Sequence, residues 1–207
     1  MPPAVRAILS FVSLHPIRKP TVMRSKTEIR RDITAILQMP PDLRAEKSAR
    51  LCEAIAASSA WRTARTIAIF APQPREPDVE MLWSLADGKS FAYPRVVEGR
   101  LDLFRVDSLF DLSPGAFGVR EPPGKIACAV APDTLDLILI PGVAFTAKGA
   151  RLGRGGGFYD RLLSPLTAHV CKIGVCFDSQ VLPELPVEPH DRRVDFIATE
   201  SGMRSAN

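Results

Sequence analysis

The chain has 207 residues, of which 46% are hydrophobic and 24% charged, and 27 basic against 23 acidic side chains give a net charge of +4. This length suits one α/β domain with or without a tail, and the hydrophobic content excludes a chain that is disordered throughout. Charges of both signs in similar numbers indicate a mixed surface, which argues against a dedicated nucleic-acid binder.

The cysteines and the hydropathy pattern indicate in which cellular compartment the protein is expected. No Cys-x-x-Cys pair occurs among the four cysteines, which are Cys52, Cys128, Cys171 and Cys176. Only three histidines are present to join them, so we expect reduced thiols rather than zinc ligands, as is typical of a cytoplasmic protein. Asp133 and Asp136 interrupt the longest apolar stretch before it reaches the ~18 residues of a transmembrane helix.

Residues 1–24 are predicted to be an N-terminal extension. They contain no acidic residue and include four prolines and four cations. The apolar run Ala7–Leu14 leaves a targeting presequence open, although prolines disfavour a long amphipathic helix. We expect a disordered extension, or translation drawn from upstream of a true start at Met23.

A first helix is predicted to begin at Ser25. Ser25 and Glu28 form a capping box, in which each side chain satisfies a free backbone N–H of the first turn. Lys26 and Arg30 lie one turn apart and share a face. That face is either a solvated helix side or one wall of an anion site. A second helix, capped by Asp42, is predicted to run to about Ser58.

The middle of the chain alternates strands with proline-rich or irregular loops. The β-branched run Thr66–Phe70 predicts a strand that ends in the proline-stiffened loop 71–77. Asp78 is expected to cap a helix that stops near Gly88. Two strands, Phe91–Pro94 and Leu101–Val106, and an irregular surface loop over 113–124 follow.

The segment Arg151–Asp160 is the most informative part of the chain. It has four glycines in five positions between two arginines and an aromatic pair. The apolar run Leu135–Ile140 precedes it and helix-like spacing follows from Phe158, so it is predicted to connect a strand to a helix. Glycines let backbone N–H groups converge on an anion, and the arginines and the helix N-terminus add positive charge. The alternative is a glycine-rich surface turn with solvated arginines, because the spacing is neither a Walker loop nor a Rossmann fingerprint.

Two further strands are predicted, Lys172–Phe177 and Val194–Ala198. The alternation of strands and helices predicts a single three-layer α/β/α domain with a mostly parallel sheet covered on both faces. We place this domain at residues 25–200 and a C-terminal tail at 201–207.

Seven pieces of this sequence, taken in order, resemble the 5-formyltetrahydrofolate cyclo-ligase family, also called methenyltetrahydrofolate synthetase. The similarity extends over roughly residues 25–200. The glycine segment preceded by Pro141-Gly142-Val143-Ala144-Phe145 is the most specific part. The other pieces are Lys26–Arg30, Glu76-Pro77-Asp78, Tyr93–Val96, Phe117–Pro122, and Pro186-Val187 through His190-Asp191 to Val194-Asp195.

The resemblance implies an ATP-dependent ring closure. In this reaction 5-formyltetrahydrofolate and MgATP give 5,10-methenyltetrahydrofolate, ADP and phosphate: the formyl oxygen attacks the γ-phosphate, and N10 then displaces the phosphate from the activated carbon. Phosphoryl transfer mainly needs alignment and charge neutralisation, so no protein nucleophile is required. The implied partners are small molecules and not nucleic acid or a membrane, and we expect a cytoplasmic monomer.

The resemblance also assigns site residues. It implies catalytic roles for Lys26, Arg154 and Tyr159. It implies magnesium binding by Asp160 and, less strongly, Asp191; a first-turn aspartate favoured by the helix dipole and a loop aspartate bonding its own backbone are the alternatives. The ATP site would comprise Lys26, Arg30, Arg151, Leu152, Gly153, Arg154, Gly155, Gly156, Gly157, Phe158 and Tyr159.

Glu76 is implied to bind the pterin, because a carboxylate in a stiff loop can accept paired hydrogen bonds from the ring. The full implied folate set is Ala71, Glu76, Phe117, Arg154, Gly155 and Gly157. Phe117 is equally well explained as a loop anchor. Val79 and Phe158 depart from the family pattern, which has threonine and tyrosine there; neither change removes a charge that the reaction needs.

Two other functions are open. A paralogous enzyme with a different substrate would share the glycine loop, but Glu76 and the Pro94-Arg95 pair argue against it. A nucleotide- or RNA-binding module would suit the calculated isoelectric point of about 9.0. However, no basic residues interleave with aromatic ones as base stacking requires.

Overall fold

The computed structural model describes residues 24–206, so the extension predicted for residues 1–24 lies, apart from Arg24, outside the described part. The α-helices are α1 Lys26–Ile36, α2 Pro41–Ala56, α3 Ser59–Thr63 and α4 Phe158–Leu163. Short 3-10 helices are Val79–Leu85, Leu109–Asp111, Ala116–Gly118, Ile126–Cys128, Pro132–Thr134 and Asp178–Gln180. The strands are β1 Thr66–Ala68, β2 Ser90–Val97, β3 Arg100–Val106, β4 Ser113–Pro114, β5 Arg120–Glu121, β6 Ala129–Val130, β7 Leu137–Pro141, β8 Ala144–Thr146, β9 Arg151–Leu152, β10 Cys171–Val175, β11 Val181–Leu182, β12 Phe196–Thr199 and β13 Gly202–Ser205.

The main sheet has eight strands in the order β13-β12-β10-β7-β1-β2-β3-β6. The five strands from β12 to β2 pair in parallel, whereas β13, β3 and β6 run antiparallel to their neighbours. A mostly parallel α/β sheet is therefore confirmed. A small sheet, β11-β8-β9, and the β4–β5 hairpin lie apart from it.

Strand β7 shows how the core is divided. Leu137 and Leu139 pack into one buried cluster, with residues of α2 and α3. Ile138 and Ile140 pack into another, with Leu162 of α4. Alternate residues of a strand point to opposite faces, so the sheet buries apolar side chains on both.

Helix α1 begins where the sequence predicts. The Ser25 hydroxyl accepts a hydrogen bond from the Glu28 N–H at 3.2 Å, and the Glu28 carboxylate accepts one from the Ser25 N–H at 2.8 Å. Ile29 and Ile33 are buried against Leu152 and other residues of a third cluster. The capping box and this apolar stripe together fix the rotation of the helix about its axis.

Several element boundaries differ from the sequence prediction. The segment 201–207, predicted to be a tail, contains β13, which pairs with β12 because Gly202, at φ +129°, lets the chain reverse. Helix α2 has Pro40 as its N-cap and no side-chain cap, so Asp42 lies within its first turn. Strand β8 lies between β7 and the glycine segment, whose first two residues form β9.

The strand order creates a crevice between β1 and β7. From β1 the chain moves to β2 on one side, and from β7 to β10 on the other. In open α/β sheets, ligands bind outside the carboxyl ends of strands at such a reversal of strand order. Separately, none of the helices found between residues 24 and 206 is both long enough and apolar enough to cross a membrane.

Candidate active site

A cleft of about 660 Å³ lies at the carboxyl ends of β1 and β7. Ala71 follows β1, and Pro141 and Gly142 end and follow β7, so the sheet forms its floor. The structure brings all the site residues predicted from sequence to this one cleft. These are Lys26, Arg30, Ala71, Glu76, Phe117, Arg151, Leu152, Gly153, Arg154, Gly155, Gly156, Gly157, Phe158, Tyr159, Asp160 and Asp191.

The glycine loop, residues 153–157, connects β9 to α4. Gly155 and Gly157 have φ of +110° and +64°, a region that other residues rarely adopt. A Cβ on Gly156 would lie 2.8 Å from the Phe158 ring, so any other residue there would have to displace that ring. Helix α4 is only six residues long, so the loop's positive charge comes mainly from arginines rather than from aligned peptide dipoles.

Lys26 and Arg30 face the cleft rather than solvent. The Arg30 Nε donates to the Gly153 carbonyl at 2.9 Å and ties α1 to the glycine loop. Lys26 Nζ lies 2.8 Å from Asp191 Oδ2 and 3.1 Å from Glu188 Oε1. Both cations therefore line the cleft, which is the position that the anion-site alternative requires.

The Lys26–Asp191 pair stabilises the charged form of both partners. Burial opposes the charge on Lys26, but hydrogen bonds to Asp191 and Glu188 outweigh it and raise the pKa of Lys26 above 10.5. Burial likewise opposes the charge on Asp191, yet hydrogen bonds from Lys26 and the Glu188 N–H lower the pKa of Asp191 below 3.8. Both groups are therefore ionised near neutral pH.

The two loops that carry Glu76 and Arg154 meet across the cleft. Arg154 Nη2 donates to Glu76 Oε1 at 2.9 Å, while Glu76 Oε2 accepts from the Gln73 N–H at 3.0 Å. Glu76 is buried in the proline-stiffened loop, and Arg154 is exposed. The carboxylate is thus held rigidly, whereas the guanidinium retains contact with solvent.

Arg151 and Asp160 form a second ion pair beside the glycine loop. Arg151 Nη2 lies 2.8 Å from Asp160 Oδ1, which also accepts from the Arg192 N–H at 3.2 Å. Tyr159 lies beside Arg151 of this pair. The Arg151 guanidinium carbon is 5.7 Å from the centre of the Tyr159 ring. Burial, and then the negative charge of Glu76, raises the pKa of Tyr159 far above its ordinary value, so its phenol stays protonated.

An aromatic contact joins the β4–β5 hairpin to the first residue of α4. Phe117 and Phe158 meet edge to face, with ring centres 5.7 Å apart, and the Arg161 guanidinium lies 5.1 Å from the Phe158 ring centre. Phe117 has φ +56° and a largely exposed side chain. It is held by one aromatic neighbour and is open to a ligand.

The carboxylates predicted to bind magnesium both line the cleft. Asp160 accepts from the N–H of Arg192, the residue after Asp191, so the two lie on neighbouring segments. No cluster of three or more His, Cys, Asp or Glu suited to a metal occurs between residues 24 and 206. This arrangement fits a magnesium ion that arrives with phosphate oxygens and takes one or two protein carboxylates.

Sequence reasoning missed four polar residues of the cleft, which are Gln73, Glu121, Glu188 and His190. Glu121 is buried and accepts from the Val96 N–H at 3.2 Å. Glu188 contacts Lys26, as described above. Glu121 and His190 lie in motifs that carry the family resemblance, and this location could have identified them as site residues from the sequence.

Residues 22–200 match the 5-formyltetrahydrofolate cyclo-ligase family. The chain belongs to this family. The 5-formyltetrahydrofolate cyclo-ligase of Mus musculus is 27% identical over 205 residues, which are 89% of this chain and 98% of the mouse protein. That of Mycolicibacterium smegmatis is 45% identical over 83 residues, which span 40% of this chain and 43% of that enzyme. The structure of Aquifex aeolicus 5,10-methenyltetrahydrofolate synthetase has a TM-score of 0.77 and 31% identity, covering 88% of this chain and 93% of that one.

Family membership confirms the resemblance drawn from the sequence motifs and the expected enzyme class, a cyclo-ligase. The Aquifex structure supports the α/β fold over most of the chain. The roles of individual cleft residues are a separate matter, and they rest on the contacts described above.

Proposed function

We propose that this cleft closes the ring of 5-formyltetrahydrofolate at the expense of ATP. The observation that carries the proposal is the Arg154–Glu76 contact at 2.9 Å, because it brings the phosphate-binding loop and the pterin-binding loop to one point. The formyl oxygen attacks the γ-phosphorus and ADP leaves. N10 then attacks the activated carbon, and phosphate departs as 5,10-methenyltetrahydrofolate forms.

The phosphate side of the cleft is assigned to Lys26, Arg30, Arg154 and the glycine loop. ATP dependence goes with the family, and each of these cations has an acceptor in the cleft: Asp191 for Lys26, the Gly153 carbonyl for Arg30 and Glu76 for Arg154. Phosphate oxygens would take over these donors without a change in the fold. Charge neutralisation of this kind is the main requirement of phosphoryl transfer.

The folate side is assigned to Glu76, Ala71 and Phe117. Glu76 keeps one oxygen on the Gln73 N–H and presents the other to the cleft, where pterin N–H groups can replace Arg154. Ala71 is buried in the cleft floor and Phe117 stands exposed at its rim. Tyr159 acts as a hydrogen-bond donor and not as a base, because its phenol stays protonated.

Asp160 and Asp191 are the residues that would hold magnesium. The ion would neutralise charge on the transferring phosphoryl group. Both aspartates already accept hydrogen bonds, Asp160 from Arg151 and Asp191 from Lys26, which orients their carboxylates towards the cleft they line. We further propose that the protein acts in the cytoplasm as a monomer on these small molecules, without nucleic acid or membrane partners.

The test is the appearance of methenyltetrahydrofolate absorbance when purified protein meets 5-formyltetrahydrofolate and MgATP. Absorbance that needs both substrates supports the proposal. Its absence from folded protein that binds ATP would favour a paralogous enzyme with another substrate.

Lys26→Ala should raise the KM for ATP and lower kcat, because one charge-assisted phosphate contact is lost at a cost of about 1.5 to 3 kcal/mol. Arg31→Ala is the matched control, since Arg31 lies on the same helix, is largely exposed and pairs with Asp32 on the helix surface. Equal kinetics for the two variants, measured with the same absorbance assay, would remove Lys26 from the site.

A further inference from the structure

Two arginines of the glycine segment, three positions apart, have different environments. The Arg154 side chain is 55% exposed, whereas that of Arg151 is 3% exposed. An exposed guanidinium can exchange its partner for a ligand at little cost. A buried one cannot leave its partner without stranding a charged group away from water.

The guanidinium of Arg151 is enclosed by protein. Nη2 donates to Asp160 at 2.8 Å, and Nη1 points to the Pro141 carbonyl at 3.4 Å. The Tyr159 ring covers the group, with its centre 5.7 Å from the guanidinium carbon. The Nε atom is buried and has no hydrogen-bond partner among the described residues.

Glycines make room for this side chain. A Cβ on Gly153 would lie 2.9 Å from Arg151 Nη1, and one on Gly142 would lie 3.2 Å from its Cγ. The glycine segment therefore accommodates Arg151 as well as a ligand. This packing leaves the guanidinium little freedom to turn towards a phosphate.

We propose that Arg151 is a positioning residue, which orients the Asp160 carboxylate and the Tyr159 ring and does not itself contact nucleotide phosphates. The inference rests on the proposed function and deepens it. Arg151 and the Arg192 N–H both bind Asp160 Oδ1. The Oδ2 atom, which has no hydrogen bond among the described residues, is then the atom that would face a magnesium ion. Arg151 thus acts on the ion through Asp160.

The experiment measures ATP binding by calorimetry, once in EDTA and once in a magnesium titration. Arg154→Ala should weaken ATP binding in both conditions. Arg151→Lys keeps the charge but loses the planar group that bonds both Asp160 and the Pro141 carbonyl and lies over the Tyr159 ring. It should bind ATP in EDTA within about twofold of wild type, whereas its magnesium dependence should shift by roughly tenfold or more, as is usual when the partner of a metal ligand is lost.

Asp160→Asn keeps the size of the side chain and tests the same contact from the other side, in case Arg151→Lys fails to fold. Asp160→Asn should also bind ATP normally in EDTA and show a shifted magnesium dependence. In the double variant, the magnesium dependence should shift no further than in the more strongly affected single variant. A loss of ATP binding by Arg151→Lys in EDTA as large as that of Arg154→Ala would overturn the inference, as would additive losses in the double variant. Wild-type protein that binds no ATP would overturn the proposed function as well.

Discussion

Glu76 is constrained from two directions in the cleft. The Gln73 N–H fixes one carboxylate oxygen and Arg154 binds the other. A buried carboxylate without such partners would carry a large desolvation cost. The site therefore keeps Glu76 satisfied before the substrate arrives, and Arg154 is the partner that a pterin has to replace.

Glu76→Gln should raise the KM for 5-formyltetrahydrofolate roughly ten- to hundredfold. The amide replaces an acceptor by a donor that would face the N–H groups of the pterin, and loss of a hydrogen bond to a charged group costs about 1.5 to 3 kcal/mol. ATP affinity, measured by calorimetry on the free enzyme, should not weaken, because Arg154 loses a competing partner. Glu46→Gln, an exposed change on α2, serves as the control. Weaker ATP binding with folate binding intact would show that the two ligands are assigned to the wrong sides.

Among the elements, β1 and β7 form the floor of the cleft, and Asp136 joins their beginnings. Its Oδ2 accepts from the backbone N–H groups of Arg65 and Thr66 at 2.7 and 2.8 Å. The Asp136 N–H in turn donates to the Thr66 carbonyl at 2.9 Å. These bonds set the two parallel strands side by side where each starts.

Asp136→Ala should lower the free energy of unfolding by about 1 kcal/mol at pH 7, because two hydrogen bonds to the carboxylate are lost. The effect is no larger because Asp136 is exposed and water screens its charge. Hydrogen bonds from Thr66 and Arg65 lower the pKa of Asp136 below 3.8, so the unfolded chain takes up the proton at a higher pH. Asp136 therefore contributes its full stabilisation above its pKa in the unfolded chain, and this stabilisation is lost as the pH falls through its pKa in the folded protein.

Urea unfolding between pH 7 and pH 3 tests this expectation. The difference in free energy of unfolding between wild type and Asp136→Ala should become smaller as the pH falls. The difference for Asp133→Ala, a nearby exposed change, should show no such trend. A gap that stays constant down to pH 3 would mean that the carboxylate charge contributes nothing to this strand junction.

At the scale of the whole molecule, the family match and the last strand bear on the two ends of the chain. The family match begins at residue 22. At the other end, β13 pairs with β12 over four residues, and Ala206 is buried.

A variant starting at Met23 should therefore keep the activity and the thermal midpoint of the full chain, measured by methenyltetrahydrofolate formation and by calorimetry. Deletion of residues 202–207 is the contrasting variant. It should lower the midpoint, because it exposes the edge of β12 and removes the contact of Met203 with the core. A loss of activity on deleting residues 1–22 would show that this segment contributes to the catalytic domain.

Much of the fold could be predicted from local patterns. The Ser25–Glu28 capping box, the prolines between β1 and the Val79–Leu85 helix, and the apolar run of β7 each act over a few residues, so the sequence displays them directly. The missed elements depend on how the sheets are assembled. Strand β13 forms because its sequence neighbour β12 offers it a free edge of the main sheet, and β11 pairs with β8, from which α4 and β10 separate it in the chain.

The residues that make up the site could likewise be predicted, but which of them contact each other could not. Lys26 meets Asp191 across 165 residues, and Arg30 meets Gly153 across 123. No local propensity encodes such a meeting, because which charges come together depends on how all the intervening strands are ordered. The residue pattern alone therefore left both a solvated face and an anion site open for Lys26 and Arg30, and it favoured the solvated face.

The sequence by itself determined the residue types at the site, the stiffness of the Glu76 loop, the glycine path and the class of enzyme. Only the tertiary structure decided which cations are free to meet a ligand. Arg151 and Arg154 are the same residue type in one segment, yet the first is enclosed by Tyr159, Asp160 and two glycines while the second reaches solvent. The physical reason is that the charge on a guanidinium is a property of the residue, whereas its desolvation and its partners are set by the surrounding fold.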